Sequence, residues 1–423
     1  MIRNLLSTTA TRLISAVLNL GIVWVIARFM GAAVLGTVSL IVLGISIIQL
    51  FTAVLAGSSL VYQVSRRPVA ELMVAAWIWI PVIGVPVWAL LAAFNMIPAG
   101  FRPDVLLLAT IGSLVTINQN LFLGKEKIST YNAMVILQSV LLFAVLLILI
   151  FGFNLYQTDA YIVAQYVSIG ICVIIGTILN FPPRAEFHFP KKELVIEAFR
   201  FGGFLQAASI MQLFNYRLSY YLIEKFFDRA TLGVFSLGVQ IAESVWIIAK
   251  SMATLLYSRL SNSNDDEYSG RLTASFIKII TLLSIVIMLL IVLLPESVFV
   301  FIFHSEFGKI TTVVAGLAPG IIAVAVSLML SHYFSGTGHP HHNTISSGIG
   351  LIFTFILGYT LIPVYGLVGA AITASASYLS SMLYQLIVFR KFTSLSWLSF
   401  IPTQEDIKKL RKEAKGGIDT LKS

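Results

Sequence analysis

The feature that most limits this chain is a succession of apolar runs, each close to the roughly 20 residues a helix needs to cross a bilayer. They are separated only by short polar or Gly/Pro punctuation. Twelve can be read, near residues 9–29, 37–59, 72–94, 104–123, 130–152 and 160–181, then near 201–222, 233–256, 272–294, 311–334, 344–363 and 367–389. The runs are continuously apolar rather than alternating, which excludes barrel strands and leaves an all-α integral membrane fold. In 423 residues, 58% hydrophobic and 11% charged, little remains for a soluble domain. The polar remainder, a linker over 182–200 and a charged tail over 390–423, is too short to bury a core. The expected organisation is six helices in 1–181, that linker, six helices in 201–389, and the tail.

A net charge of +9 would suggest nucleic acid for a soluble chain, but the basic residues here lie in short loops and set topology. Counting Lys and Arg in alternate loops gives 19 on one side, six of them beyond Thr403, against five on the other. Both termini are therefore expected in the cytoplasm, with no nucleic-acid partner. The first run lacks a small-residue cleavage pattern and is read as a retained helix. The tail, with Thr403 followed three residues on by Asp406, reads as a short surface helix. Cys172 is the single cysteine and lies inside an apolar run, so neither a disulfide nor a cysteine metal cluster is expected. His339, His341 and His342 flank Pro340 with no acid or Cys nearby, and read as a solvated turn rather than a metal site. No GxxxxGK[ST], GxSxG or HExxH occurs, so no cofactor and no ATP-driven or hydrolytic site is expected.

An internal repeat organises the runs. RFMGAAVLGTVSL, Arg28 to Leu40, matches KFFDRATLGVFSL, Lys225 to Leu237, in charge, aromatic, Ala, Leu-Gly and Ser-Leu at a fixed offset of 197. A weaker echo sets LFLGKEK, Leu121 to Lys127, against YFSGTGH, Tyr333 to His339. Six is even, so both halves enter the membrane from the same face, and the repeats are parallel, related by an axis along the membrane normal.

Charge within the spans is sparse. Arg12, Arg217, Lys250 and Lys278 are the bases and Glu243 the one acid deep in a span, each costing roughly 2.5–3.5 kcal/mol at mid-bilayer unless paired or hydrated. Helical spacing puts Gln240, Glu243, Ile247, Lys250, Thr254 and Tyr257 on one face of the eighth span, and Arg12, Ser15 and Asn19 on one face of the first. The seventh supplies Gln206, Ser209, Gln212, Tyr216, Arg217 and Tyr220; the second adds Ser46 and Gln49. These four spans are equivalent pairs under the repeat. Their polar faces suit an amphiphile with an anionic head. Competing readings are snorkelling of Arg12 and Lys278, an interfacial anchor at Arg28, structural pairing of Glu243 and Lys250, and helix-to-helix bonding by the amides and hydroxyls. Pro81, Pro86 and Pro319-Gly320 mark kinks.

The ARFMGAAVLGTVSL segment, its echo KFFDRATLGVFSL, the FGGFLQAASIMQLFNYRLSYYLI run and the IPVYGLVGAAI turn resemble the polysaccharide-exporter branch of the MOP transporter superfamily, the Wzx-type flippases of O-antigen or other lipid-linked oligosaccharides. The resemblance covers residues 1–390. It implies a MATE-like fold of twelve transmembrane helices in two pseudo-symmetric six-helix lobes. It also implies alternating access in the bacterial cytoplasmic (inner) membrane and a cargo of oligosaccharide on undecaprenyl diphosphate, moved to the periplasmic leaflet for polysaccharide polymerase machinery. Arg28 occupies the arginine of the family's "aR-lG---fG" signature. Arg217 falls where relatives show Arg-Leu-Asp, but Leu218-Ser219 follows it here, which puts an acid-based ion site there in doubt. Cationic family cavities make Arg12, Arg28, Arg217 and Lys250 the diphosphate candidates, because Arg bonds phosphate bidentately. Asn19, Gln49 and Gln206 join them as substrate-binding candidates, and Glu243 is left to couple H+ or Na+. A multidrug extruder of the same superfamily is the alternative, though it should carry several cavity acids. A membrane polymerase or glycosyltransferase would need a long catalytic outer loop, and Pro295–Ile310 is short and apolar.

Overall fold

A computed structural model describes residues 2–64, 66–181, 192–262 and 265–400. The helices are α1 (Ile2–Met30), α2 (Ala32–Ala56), α3 (Ser58–Gln63), α4 (Val69–Ala93), α5 (Arg102–Gly124), α6 (Ile128–Leu147) and α7 (Thr158–Asn180). They continue as α8 (Lys192–Phe226), α9 (Arg229–Glu243), α10 (Trp246–Leu260), α11 (Asp266–Val292), α12 (Glu296–Phe303), α13 (Ile310–Gly336) and α14 (His341–Thr393), with no strand among the described residues. The expected tail helix from Thr403 and the first part of the linker, 182–191, lie outside the described residues.

Among the described residues nine helices are long and apolar enough to cross a membrane, and the α9–α10 pair, bent by 42°, makes a tenth span. α14 folds back at Gly366, whose φ of 54° and ψ of −126° no helix contains, so it supplies an eleventh. α8, 35 residues long, is the twelfth; Gln206, Gln212, Asn215 and Arg217 keep it below that apolarity threshold. The chain is a multi-pass, all-helical membrane protein. The Gly366 fold falls between the expected spans 344–363 and 367–389. The eighth expected span, continuous over 233–256, is corrected to two helices that meet at Ser244 and Val245.

The described chain gathers into two compact units. The first holds residues 1–236 and 300–307. Its centre is α2, which packs on α4, α5 and α8, while α5 also meets α7, and α6 lies against α1 and α7. Lipid tails are as apolar as leucine, so close packing and interhelical hydrogen bonds hold such helices together. Thr52 and Ser113 share a hydrogen bond of 2.8 Å between α2 and α5. Where α2 stops, Asn120 donates to the orphaned Ala56 carbonyl at 2.7 Å.

The repeat becomes a physical contact where α2 crosses the start of α9. Gly36 lies against the Arg229 carbonyl oxygen and Gly233 against that of Ala32, each so close that a Cβ would overlap it. Ser39 donates to Ser236 at 3.0 Å. Gly36 and Gly233, Ala32 and Arg229, and Ser39 and Ser236 are each separated by the same 197 residues. The contact therefore maps onto itself when the two copies are exchanged, as an isologous interface does.

The second unit holds the described residues of 237–299 and 308–400. α13 is central, with α10, α11 and α14 packed on it around Leu256, Ile277, Met329, Leu330, Tyr333 and Phe389. Pro319 interrupts α13, and the Ser375 hydroxyl from α14 enters the gap. Gly320 donates to Ser375 Oγ at 3.2 Å, and Ser375 donates to the Gly316 carbonyl at 2.6 Å. A side chain thus bridges a position where α13 would otherwise bond to itself. Beside it, Trp246 at the start of α10 donates its indole N–H to the Ile321 carbonyl at 3.1 Å and meets Tyr378 edge to face. The break between α9 and α10 is tied to the kink in α13.

Candidate functional site

In the first unit, α2, α5, α6 and α7 line a half-open cavity of about 280 Å³. Its polar lining is Ser46 and Gln49 from α2, Thr116 and Gln119 from α5, Gln138 from α6 and Gln165 from α7. The three-residue spacing turns each α2 and α5 pair to one side of its helix. Gly112 lies one turn before Thr116, and a Cβ there would overlap Gln49 Nε2. Glycine at 112 is what lets the Gln49 amide reach the cavity. Gln165 donates to the Tyr161 hydroxyl at 2.6 Å. The side-chain amides of Gln49, Gln119 and Gln138 make no hydrogen bond to protein among the described residues. No charged side chain among the described residues lines the cavity.

The basic candidates lie elsewhere. Arg12 and Asn19 are exposed on α1, while Ser15, expected beside them, is buried with no partner for its hydroxyl among the described residues. Gln206 and Arg217 are half-buried on α8. The Arg217 guanidinium lies 5.3 Å from the centre of the Tyr220 ring, a cation–π contact that holds the charge in an apolar setting. In the second unit Glu243 is half-buried as the last residue of α9, and Lys250 is exposed on α10 along with Thr254 and Tyr257. The helix break, a bend of 42° at Ser244 and Val245, lies between Glu243 and Lys250. Lys278 is half-buried on α11. His342 hydrogen-bonds the Tyr384 hydroxyl at 2.9 Å, and its ring sits 4.1 Å from that of His341. That histidine turn opens α14 and packs on the second half of the same helix, at Tyr384 and Phe392.

Arg28 is engaged with a distant segment. At the turn between α1 and α2, residues 300–307 form a strap: Trp24 donates to the Ile302 carbonyl at 3.0 Å, Arg28 to the Phe301 carbonyl at 3.2 Å, and the Ala32 amide to Glu306 Oε2 at 2.7 Å. Glu306 so caps the N-terminus of α2, where a carboxylate meets both an orphan donor and the positive end of the helix dipole. Gly31, at φ 86° and ψ 176°, takes a backbone conformation open essentially to glycine alone.

Comparison with known proteins decides what this architecture belongs to. Residues 25–312, about two thirds of the chain, match the family described as polysaccharide biosynthesis protein. The chain belongs to that family. Capsular polysaccharide biosynthesis protein CapF of Staphylococcus aureus is 26% identical over 159 residues, which is 37% of this chain and 40% of that relative's length. Among solved structures, the lipid II flippase MurJ in an inward closed conformation superposes with a TM-score of 0.72 at 13% identity, covering 92% of this chain and 90% of that one. An inward-facing multidrug resistance MATE family transporter of the MOP superfamily gives 0.67 at 16% identity, covering 92% and 96%. The polysaccharide biosynthesis family member therefore has the MATE-like fold of MOP superfamily transporters, as its sequence motifs implied.

Ser46 and Gln49 are the sequence-picked residues that reach the cavity, and Arg28 the one that reaches the strap. Gln119, Gln138, Gln165, Glu306 and Ser375 were not singled out. Each is a common residue type whose meaning comes from partners on other helices. A pairwise signal was present only for the repeat positions.

Proposed function

We propose that this family member is a flippase that carries undecaprenyl-diphosphate-linked oligosaccharide from the cytoplasmic to the outer leaflet of a bacterial cytoplasmic membrane by alternating access. Both termini are in the cytoplasm, and polysaccharide polymerase machinery consumes the product. The observation that carries the reading is the family match over 25–312, on a fold that superposes on a lipid II flippase along nearly the whole chain. The membrane-embedded charge supports it. Arg12, Arg217 and Lys250 present cations within spans, while Glu243 is the one acid placed deep in a span. That balance suits a diphosphate head rather than a cationic drug. Arg28 is better placed as an anchor of the strap. Glu243, at a helix break, is the group to couple H+ or Na+. The breaks at Ser244–Val245, Pro319 and Gly366 leave backbone able to change conformation between states.

The test uses purified full-length protein in liposomes with a fluorescent undecaprenyl-diphosphate oligosaccharide, following its arrival in the opposite leaflet with and without a pH or sodium gradient. Protein-dependent movement is expected, reduced at least about tenfold by Arg217→Glu or Lys250→Glu. Glu243→Gln should abolish the response to the gradient. No movement of the lipid, with gradient-driven uptake of a cationic dye, would make the protein an extruder instead.

A further inference from the structure

The glutamine-lined cavity of the first unit gathers side-chain amides that the helices themselves do not engage. Gln49, Gln119 and Gln138, each half-buried, face one cavity without a hydrogen bond to protein among the described residues. Helices that needed only to pack would place leucine at these positions. A partner that enters the cavity must therefore offer several donors and acceptors at once. No charged side chain among the described residues lines the space, so none of them neutralises an ionic ligand, and burying an ion unpaired costs more than any hydrogen bond returns. The volume, about 280 Å³, lies at the lower edge of the roughly 300–1,000 Å³ of small-molecule pockets, which fits a ligand of one-ring size.

The lining is two-sided. Amides and hydroxyls alternate with aliphatic side chains from Val42, Ile45 and Leu108, as suits a ring with hydroxyls at its rim and C–H groups on its faces. Gly112 marks a built feature, because any Cβ there would displace the Gln49 amide.

We propose that this cavity is a recognition subsite for a single neutral glycosyl residue, hydroxylated or N-acetylated, separate from the basic side chains that serve the diphosphate; as the source of that sugar it rests on the flippase reading above. The amides donate to and accept from ring hydroxyls, and the subsite selects for uncharged sugars.

The experiment measures unfolding of the full-length protein in detergent with methyl glycosides as probes: neutral glucose, galactose and N-acetylglucosamine against the acid of glucuronate and the cation of glucosamine. Saturable stabilisation by at least one neutral glycoside, and none by the charged pair, is the expected result. Gln138→Leu and Gly112→Ala should each weaken that stabilisation about tenfold. Gln138→Leu should also leave the unliganded protein as stable as before or more so, since it removes an unpaired amide; this separates a ligand-binding role from a structural one. Unfolding of Gln138→Leu in the absence of sugar, stabilisation by the charged glycosides or by sodium alone, or no stabilisation by any glycoside each overturns the proposal. In liposomes, the same variants should lose transport of saccharide-bearing lipid while still moving undecaprenyl diphosphate that carries no sugar. Equal transport of both lipids by variants and wild type overturns the subsite and leaves the flippase reading standing. Neutral-sugar binding by a protein that moves neither lipid does the reverse.

Discussion

The two copies of the repeat meet as equals at one point and differ sharply one turn away. At Gly36–Gly233 and Ser39–Ser236 each copy gives what it receives. At the turns that precede α2 and α9 the same position holds Gly31 in the first copy and Asp228 in the second, 197 residues on. Asp228 caps its own helix, accepting from the Thr231 amide at 2.7 Å, the usual N-cap to N3 bond. Gly31 has no side chain to do this, and Glu306, from 274 residues away in sequence, accepts from Ala32 instead. The neighbours diverge in step. Arg28 and Trp24 bond the strap's carbonyls, whereas at the position equivalent to Trp24 the Tyr221 hydroxyl has no hydrogen-bond partner among the described residues. The packing contact preserves the symmetry of the duplication, while the capping has been handed over to a segment that serves one copy only. A transporter whose two copies were identical at both places would have no built-in difference between them at this turn.

The largest effect should come from the symmetric contact. In Gly36→Ala or Gly233→Ala the new Cβ overlaps a backbone carbonyl rather than a movable side-chain tip, so whole helices must separate. A loss of at least about 3 kcal/mol is expected, read as a lowered unfolding temperature and a smaller monodisperse fraction in size-exclusion. The two substitutions should cost nearly the same. A cheap change at one glycine and a costly one at the other would break the equivalence of the copies.

The caps should separate the copies. Asp228→Ala removes one local cap, worth about 1 kcal/mol. Glu306→Ala removes a cap of similar worth and also frees residues 300–307 from the α1–α2 turn. The check is alkylation of a cysteine placed at Ile302, in a background with Cys172 replaced by Ala. Labelling should rise several-fold with Glu306→Ala and stay unchanged with Asp228→Ala, at comparable stability. Equal labelling in both would mean that Trp24 and Arg28 hold the strap without the cap.

How much of this the sequence discloses depends on the range over which a feature acts. The spans are legible because a bilayer dictates a length of apolar residues, and the fold at Gly366 is legible because Pro363 and Gly366 punctuate it. The repeat is legible as letters at one offset, though not as a contact, since nothing in RFMGAAVLG and KFFDRATLG says that the two glycines touch each other's neighbours. The break after Glu243 is not legible. No Gly or Pro lies between Val239 and Ala249, and the helix is interrupted where Trp246 bonds the Ile321 carbonyl on another helix. Glu306 reads as one more acid in an outer loop until its partner across the chain is known. The glutamine cavity is the extreme case. Four helices each contribute one or two polar residues, and each taken singly fits helix-to-helix bonding better than a site.

The smallest expected effect belongs to the serine pair. Ser39 also lies 2.8 Å from the Leu35 carbonyl, and Ser236 donates to that of Gly233 at 3.0 Å, so each hydroxyl keeps a partner on its own helix when the other is removed. Interhelical hydrogen bonds in membranes average about 0.6 kcal/mol. Ser39→Ala and Ser236→Ala should therefore each cost no more than about 1 kcal/mol, and the double variant should cost less than their sum by roughly 0.5 kcal/mol, the shared bond being lost only once. Strictly additive losses would show that the two hydroxyls lie side by side without bonding, and that the glycines alone hold the copies together. A coupling well above 1 kcal/mol would show the opposite, that the pair helps to set the crossing and that the glycines merely make room for it.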